Sequence, residues 1–282
     1  MTWRIAVAGT GTIGGRVAAE LGAGRVAGCE LVAVLDSSSD DTVIGEALRS
    51  ADLLVEASTA AAARVLLPRA LDAGLRIVLC SCGILADRSV ESDLRQRGAV
   101  LGADVLVPAG AIGGLDILGA AYRASVRTPG RTSGRTSDWT AGGRAVPEVT
   151  VRHTTTKRPA ALGMSATLTE PAVVFRGSAR EAALAYPLTS NSSVALALAT
   201  TGLDNVEVVI VADPAATSTR HRIELSSPVG HYDFAIENTV SPTSGGRTSE
   251  ITAWSVIDVL EKSARSRTPV MTRFHSEVIQ AH

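Results

Sequence analysis

The sequence predicts an α/β protein, with a doubly wound parallel sheet followed by a second α+β domain that carries a mixed or antiparallel sheet. Three features carry the prediction. Short apolar runs resembling buried strands alternate with helical stretches through residues 1–107, a pattern that right-handed crossovers turn into a parallel sheet. A glycine-rich turn separates the first of those runs from the first helix. From Glu148 onward, strand-like segments follow one another without long helices between them, as in antiparallel and mixed sheets.

The first run is Arg4–Ala8. Gly9, Gly11 and Gly14 follow at the spacing G-x-G-x-x-G, enclosing Thr12 and Ile13, and Arg16–Leu21 begins a helix. Strand, glycine turn and helix in that order are the context of a dinucleotide fingerprint. Gly9 permits the tight turn, Gly11 lets backbone approach a pyrophosphate, and Gly14 lets helix pack closely on strand. The anion would rest on the free N–H groups and positive dipole end of the helix. The next strand, Glu30–Leu35, ends at Asp36, where an acid is expected to bind the adenosine ribose hydroxyls. Its charge repels a 2′-phosphate, and Ser37, Ser38 and Ser39 bring no arginine to neutralise one. The first domain therefore reads as a Rossmann-type unit binding NAD, with NADP as the alternative.

A short helix or loop over Asp40–Arg49 precedes a third strand at Asp52–Ala57. Thr59 caps a helix over Ala60–Ala73, and Gly74 stops it. Leu75–Ser81 is a fourth strand, Val90–Arg97 a helix and Ala99–Val107 a further strand. Ligands of such sheets lie beyond the carboxyl ends of the strands. Ser58, Thr59, Cys82 and Gly83 fall there, suited to the nicotinamide-side ribose and equally to ordinary loop chemistry.

Pro108–Gly114 opens a second domain spanning 108–247, with a helix at Leu115–Ala124. Residues 128–146, rich in Gly, Arg, Ser and Thr, have almost nothing to bury and read as a mobile surface insertion. Strands are expected at Glu148–Thr156, Ala172–Arg176, Asn205–Val211, Arg220–Ser226 and His231–Glu237. Ser178 caps a helix through Ala185, and Ser192–Thr201 is a helix of small residues. An amphipathic helix within 248–264 is placed to return to the first domain, and 265–282 reads as a weakly ordered tail.

Composition narrows the function. The 282 residues include 45% hydrophobic and 20% charged side chains with a net charge of −1, which favours neither nucleic acid nor an anionic membrane surface as partner. No apolar run approaches the ~20 residues of a membrane span. The chain enters a strand almost at once, so no signal peptide is expected. Cys29, Cys80 and Cys82 make no disulfide framework, and reduced thiols in the cytoplasm are the expectation. No His, Cys and acid cluster has metal-ligand spacing, so no metal is assigned. Of five histidines, none is marked by spacing alone as more than a packed or surface residue.

Longer blocks carry a resemblance. Pro-Ala-Gly-Ala-Ile-Gly-Gly-Leu-Asp (108–116), Thr-Thr-Thr-Lys-Arg-Pro (154–159), Phe-Arg-Gly-Ser-Ala-Arg-Glu-Ala (175–182) and Val-Ala-Leu-Ala-Leu-Ala (194–199) are similar to the L-aspartate dehydrogenase family, as are Asp213-Pro214 and His221. The fingerprint, 55–58 and 83–87 extend the similarity over most of the chain. The resemblance implies NAD(P)-dependent interconversion of L-aspartate with oxaloacetate and ammonia through iminosuccinate, by a homodimer. It puts the catalytic histidine at His221, a cofactor neighbour at Ala111, and a residue contacting both cofactor and substrate at Asn191. Lys157 matches a lysine suited to a substrate carboxylate or to a structural ion pair. The chain departs from the family where Asn-x-Asn-Val-Ala becomes Asn191-Ser192-Ser193-Val194-Ala195, so that Ser193 stands at a polar position next to the substrate. Asn-Pro-Lys-Thr-Ser likewise becomes Gly245-Gly246-Arg247-Thr248-Ser249. These changes leave open a dehydrogenase or imine reductase for another small amino acid or oxo acid, and a dinucleotide-binding sensor without turnover.

Overall fold

Two five-stranded sheets organise the chain, and every backbone hydrogen-bonding group in them must find a partner. The computed structural model describes residues 2–101, 104–127, 149–164, 168–240 and 248–265. The segment 128–146 and the tail beyond Arg265 lie outside the described residues.

The first sheet comprises β1 (Trp3–Ala8), β2 (Cys29–Leu35), β3 (Leu53–Glu56), β4 (Arg76–Leu79) and β5 (Val105–Leu106), all parallel, in the order β2-β1-β3-β4-β5. The helices between them are α1 (Thr12–Gly22), α2 (Asp41–Ser50), α3 (Ala60–Asp72) and α4 (Arg88–Leu101). Both faces of the sheet are covered, which is why its strands read as unbroken apolar runs rather than alternating ones. Ile5 and Val7 of β1 face Val17 and Leu21 of α1, together with Val256, Ile257 and Leu260 of the C-terminal helix. Ala6 and Ala8 face Leu48, Ala63 and Leu67 of α2 and α3. Thr59 caps as the sequence predicts, its Oγ1 accepting from Ala62 N (3.2 Å); Asp40 caps α2, accepting from Val43 N (2.9 Å), a cap not read from the sequence.

One element differs. Residues 99–101, expected to begin β5, complete α4 instead, and β5 is reduced to Val105–Leu106. Local charge accounts for this: Arg95 pairs with Glu91 and Arg97 with Asp93 at the i,i+4 spacing that supports a helix, carrying it past Gly98.

The remaining elements are α5 (Leu115–Arg127), β6 (Thr150–Lys157), β7 (Ala172–Ser178), α6 (Ala179–Ala185), α7 (Asn191–Ala199), β8 (Val206–Ala212), β9 (Thr219–Ser227), β10 (Gly230–Asn238) and α8 (Ile251–Arg265). The second sheet has the order β10-β9-β6-β8-β7. It is mixed: β6 and β8 run parallel and the other pairs antiparallel. Its strands alternate, as half-buried strands do. In β6, Val151, His153, Thr155 and Lys157 are buried, while Thr150 and Arg152 are exposed. Helix α7 packs on that buried face and is apolar nearly all round, the composition of a helix enclosed by protein. Ser178 and Glu181 form a reciprocal capping box at α6.

Arg180 of α6 locks the two halves together. Its Nη1 donates to Leu85 O (3.1 Å) and Ala86 O (2.8 Å), in a 3₁₀ turn over Cys82–Ala86 that follows β4. Its Nη2 donates to Glu91 Oε2 of α4 (2.9 Å) and Asp204 Oδ2 (3.2 Å), and its Nε to Asp204 Oδ1 (2.8 Å). Arg180→Ala would leave the buried Glu91 carboxylate with Arg95 as its remaining partner and take the donor from two carbonyls. It is expected to lower unfolding free energy by about 3–5 kcal/mol in urea titrations. Arg180→Lys should recover only part of this, because an ammonium lacks the guanidinium fork.

Candidate active site

The order β2-β1-β3-β4-β5 reverses direction between β1 and β3, and ligands of doubly wound sheets lie at such a switch point. Backbone crowding there requires glycine. Gly9 has φ of +106°, and a Cβ on it would lie 2.3 Å from Ala57 O; a Cβ on Gly14 would lie 2.0 Å from Gly9 O. A Cβ on Gly11 meets nothing within 4 Å, so the space in front of this residue is open. Gly11 is also the N-cap of α1 and offers no side chain to the N–H groups of the first turn. That cradle fits a pyrophosphate: close packing behind, bare backbone and a helix dipole in front. Thr12 and Ile13 form the first turn of the helix.

At the end of β2, Asp36 is exposed, and its Oδ1 accepts from Ser38 Oγ (2.7 Å), Ser38 N (2.8 Å) and Ser39 Oγ (3.3 Å). The Ser38 and Ser39 bonds hold its carboxyl below the usual carboxylate range, so it is an anion positioned to accept hydroxyl protons. Of the strand-end residues, Ser58 turns inward and Thr59 is exposed. The fully buried Glu56 accepts from Ser58 Oγ (2.7 Å) and Ser58 N (2.9 Å), and also from Ser81 N (3.1 Å) and Ser81 Oγ (3.3 Å). This carboxylate ties the ends of β3 and β4 together, and Thr59 caps α3. Both residues shape the crevice wall through the backbone.

An open cleft lies where the carboxyl ends of the first sheet meet the buried face of the second. Of the residues singled out in the sequence, Ile13, Cys82, Ala111, Lys157, Asn191 and His221 line it. Thr248 and Ser249 line it too, whereas Gly245, Gly246 and Arg247 lie outside the described residues. Asn191 is a strut: its Oδ1 accepts from Gly83 N (2.8 Å), and its carbonyl accepts from the Cys82 thiol (3.3 Å). Burial pushes that thiol up to about 12, so it is a neutral wall group. Ala111 O accepts from Asn238 Nδ2 (2.6 Å), and Gly110 N donates to Ser255 Oγ of α8 (3.0 Å), fixing the loop that opens the second half.

His221 and Lys157 supply the titratable chemistry. Register explains their meeting: His221 of β9 stands directly opposite Thr155 of β6, and Lys157 is two residues farther along the same face. Lys157 is buried, and desolvation lowers its ammonium to about 8. His221 is only 3% exposed; burial, then the neighbouring His153 and Lys157, push its pKa well below the usual histidine value. Its Nε2 is buried without a hydrogen-bond partner. Its Nδ1 lies 3.1 Å from His153 Nε2, and His153 Nδ1 lies 2.9 Å from Ser193 Oγ. Ser193, expected beside the substrate, thus sits behind the cleft wall and reaches the cleft only through His153.

His153 and Thr155 stand beside His221 although neither is marked in the sequence. The alternation His153, Thr155, Lys157 in a predicted strand was the available signal, since such spacing places all three on one face. Among the described residues no group of His, Cys, Asp and Glu is arranged to hold a metal ion, and no helix is long and apolar enough to cross a membrane.

L-aspartate dehydrogenase 2 of Bordetella pertussis is 33% identical over 283 residues, covering 93% of this chain and 97% of its own. The chain belongs to the L-aspartate dehydrogenase family. Another L-aspartate dehydrogenase, from Bradyrhizobium diazoefficiens, is 32% identical over 92% of this chain and 91% of its own. The family model described as aspartate dehydrogenase, C-terminal, matches residues 143–263, and that of the homoserine dehydrogenase NAD binding domain matches 9–108. The crystal structure of aspartate dehydrogenase from Thermotoga maritima shares the fold, with a TM-score of 0.68 and 24% identity over 95% of this chain and 99% of that one. A myo-inositol dehydrogenase from Lactobacillus casei, solved with NAD(H) and myo-inositol, shares the fold more distantly, at TM-score 0.56 and 12% identity over 97% of this chain and 90% of that one. As a member of the L-aspartate dehydrogenase family, this chain is an NAD(P)-dependent oxidoreductase acting on the CH–NH2 group of a small-molecule substrate.

Two predictions follow from the packing. Gly11→Ala should fold with a melting temperature near the wild type but weaken NADH binding at least about tenfold in fluorescence titration, because only the pyrophosphate space is filled. Gly14→Ala should be poorly folded, because its Cβ meets backbone. Stability should also depend on pH. Burial, then Lys157, lowers His153 to about 4, so between pH 6.5 and about 4 the unfolded chain binds a proton that the fold refuses. That stability is complete above 6.5 and is lost on acidification through this window, by about 3 kcal/mol from His153 alone. The penalty on Lys157 has the opposite course: it is full below about 8 and is relieved as pH rises toward 10.5. Urea unfolding of the wild type and His153→Leu across this range measures both.

Proposed function

We propose that the protein interconverts L-aspartate and iminosuccinate, the imine that water converts to oxaloacetate and ammonia. The observation that carries this reading is the buried, unpartnered Nε2 of His221 in the same cleft wall as the Lys157 ammonium. Residues 1–107, closed by α8, would hold the dinucleotide: Gly9, Gly11, Thr12, Ile13 and Gly14 at the pyrophosphate, and Asp36 at the adenosine ribose. Ser58, Thr59, Cys82, Gly83, Ala111 and Asn191 would frame the nicotinamide end. Residues 108–247 would supply the catalytic side chains. When bound, the dinucleotide supplies the two-electron acceptor or donor for the substrate α-carbon.

His221 removes a proton from the substrate ammonium, leaving a neutral amine whose α-carbon can be oxidised. In the reverse direction it returns that proton. A buried imidazole suits the task because it is neutral and ready to accept at working pH. Lys157 holds a substrate carboxylate. An arriving anion restores the charge stabilisation that burial removed, so the site favours negatively charged acids. Asn191 keeps the 3₁₀ turn against α7 and so keeps the two walls of the cleft in place. The reading extends to a cytoplasmic homodimer, for which the family resemblance is the support.

The departures at Ser193 and at 245–249 favour testing a second substrate class, another small 2-oxo acid with ammonia. NADH absorbance should fall with oxaloacetate plus ammonia. His221→Ala should lower that turnover by about 10²–10⁴-fold while NADH still binds. Lys157→Ala should chiefly raise the KM for oxaloacetate. Inhibition by an unreactive dicarboxylate should weaken as pH rises through about 8, where Lys157 loses its charge. Activity on another oxo acid alone would overturn the aspartate assignment. NADH binding without turnover of any acid would favour a sensor.

A further inference from the structure

We propose that His153 is the positioning residue of His221: anchored by Ser193, it dictates which His221 nitrogen carries the proton and keeps a lone pair on Nε2 at the cleft. The inference rests on the reading of His221 as the proton-transfer group.

Three side chains line up behind His221. Ser193 Oγ is 2.9 Å from His153 Nδ1, and His153 Nε2 is 3.1 Å from His221 Nδ1. Thr155 Oγ1 lies 3.3 Å from His153 Nε2 and 3.2 Å from His221 Nδ1, bridging the same junction. The rings are nearly stacked, 5.2 Å between centroids at 23°. His153 is fully buried, so its ring cannot turn to water for a partner.

A neutral imidazole has one N–H and one lone pair, so the bond between the two rings has only two polarities. In one, His153 donates from Nε2 and His221 is left with an N–H toward the cleft. In the other, His221 donates from Nδ1 to His153 Nε2, and His153 donates from Nδ1 to Ser193 Oγ. The ammonium of Lys157 in the cleft selects the second, because a cation attracts a lone pair and repels an N–H. Thr155 Oγ1 then accepts a share of the His221 Nδ1–H. When a substrate proton arrives on Nε2, the His221 imidazolium still donates Nδ1–H to the His153 lone pair. That charge-assisted bond offsets part of the cost of placing a cation in a buried site.

The groups facing His221 are few. From β6 come His153, Thr155 and Lys157; from β10 comes Ile236, directly across from it; from α7 come Asn191 and Ser193; and across the cleft is the neutral Cys82 thiol. No carboxylate lines the cleft among the described residues. In most histidine-based sites an acid orients the imidazole. Here a second imidazole holds that place.

The test compares His153→Leu, His153→Gln, Ser193→Ala and His221→Ala in L-aspartate oxidation, with ¹⁵N-imidazole NMR of the wild type. His153→Leu should lower kcat about 10- to 1000-fold with little change in the KM for NAD, and should move the acid limb of the kcat profile to lower pH. His153→Gln, whose amide can accept from His221 and donate to Ser193, should restore most of kcat and the acid limb. Ser193→Ala should show a smaller loss in the same direction. The wild-type spectrum should show His221 protonated at Nδ1, and His153→Leu should give a tautomer mixture. An Nε2–H tautomer in the wild type would overturn the proposal even if the leucine variant failed to fold. So would a His153→Leu enzyme with unchanged kcat and acid limb while His221→Ala is inactive. An active His221→Ala would instead overturn the proton-transfer reading, leaving the tautomer measurement to judge the pairing of the rings.

Discussion

The five N–H donors of the Arg180 guanidinium are all engaged, and their acceptors come from both halves of the chain. Leu85 and Ala86 belong to the turn after β4, Glu91 to α4, and Asp204 to the approach to β8. A planar fork with every donor satisfied tolerates little sliding, so this contact fixes the turn after β4 relative to α6 and α7. The cleft inherits its shape from that constraint, because Cys82 and Gly83 sit in the same turn and Asn191 grips it from α7. Much of the buried apolar interior is likewise shared: one continuous cluster runs from the α2 and α3 face of the first sheet to the inner face of the second.

Two buried polar systems flank the cleft and serve different ends. Glu56 is saturated by two serine hydroxyls and two backbone N–H groups, and it holds the ends of β3 and β4 in register with the glycine turn. Nothing in it is left to react. The row Ser193–His153–His221 is saturated everywhere except its last nitrogen, on the residue that lines the cleft. A buried network complete but for one atom at a cavity wall concentrates its chemistry at that atom, since an unpaired buried group is costly unless a ligand meets it.

The altered residues of the family pattern take on a different meaning in the fold. Read along the chain, Ser193 in place of an asparagine suggested a changed substrate contact. Folded, its hydroxyl reaches His153 and not the cleft, while Ser192 lines the cleft instead. Helical geometry explains the exchange, because neighbouring residues on α7 point about 100° apart and only one of them can face the solvent-filled side.

The sequence by itself determined β1 to β4 of the first sheet, the glycine turn, Asp36 after β2 and the caps at Thr59 and Ser178. These depend on local sterics and on runs of adjacent residues, which sequence displays directly. It also marked His221 and Lys157, through longer blocks shared with a family. Tertiary structure alone decided that His221 stands opposite Thr155 and against His153, because strand register between β6 and β9 is set by how two distant segments bury their faces. The late start of β5 has a local cause instead, the i,i+4 ion pairs that prolong α4. Nothing nearby in the sequence marks the role of Arg180, since its acceptors lie up to 95 positions away in the chain. Contacts of that range have no local signature; they exist only once the apolar faces have closed.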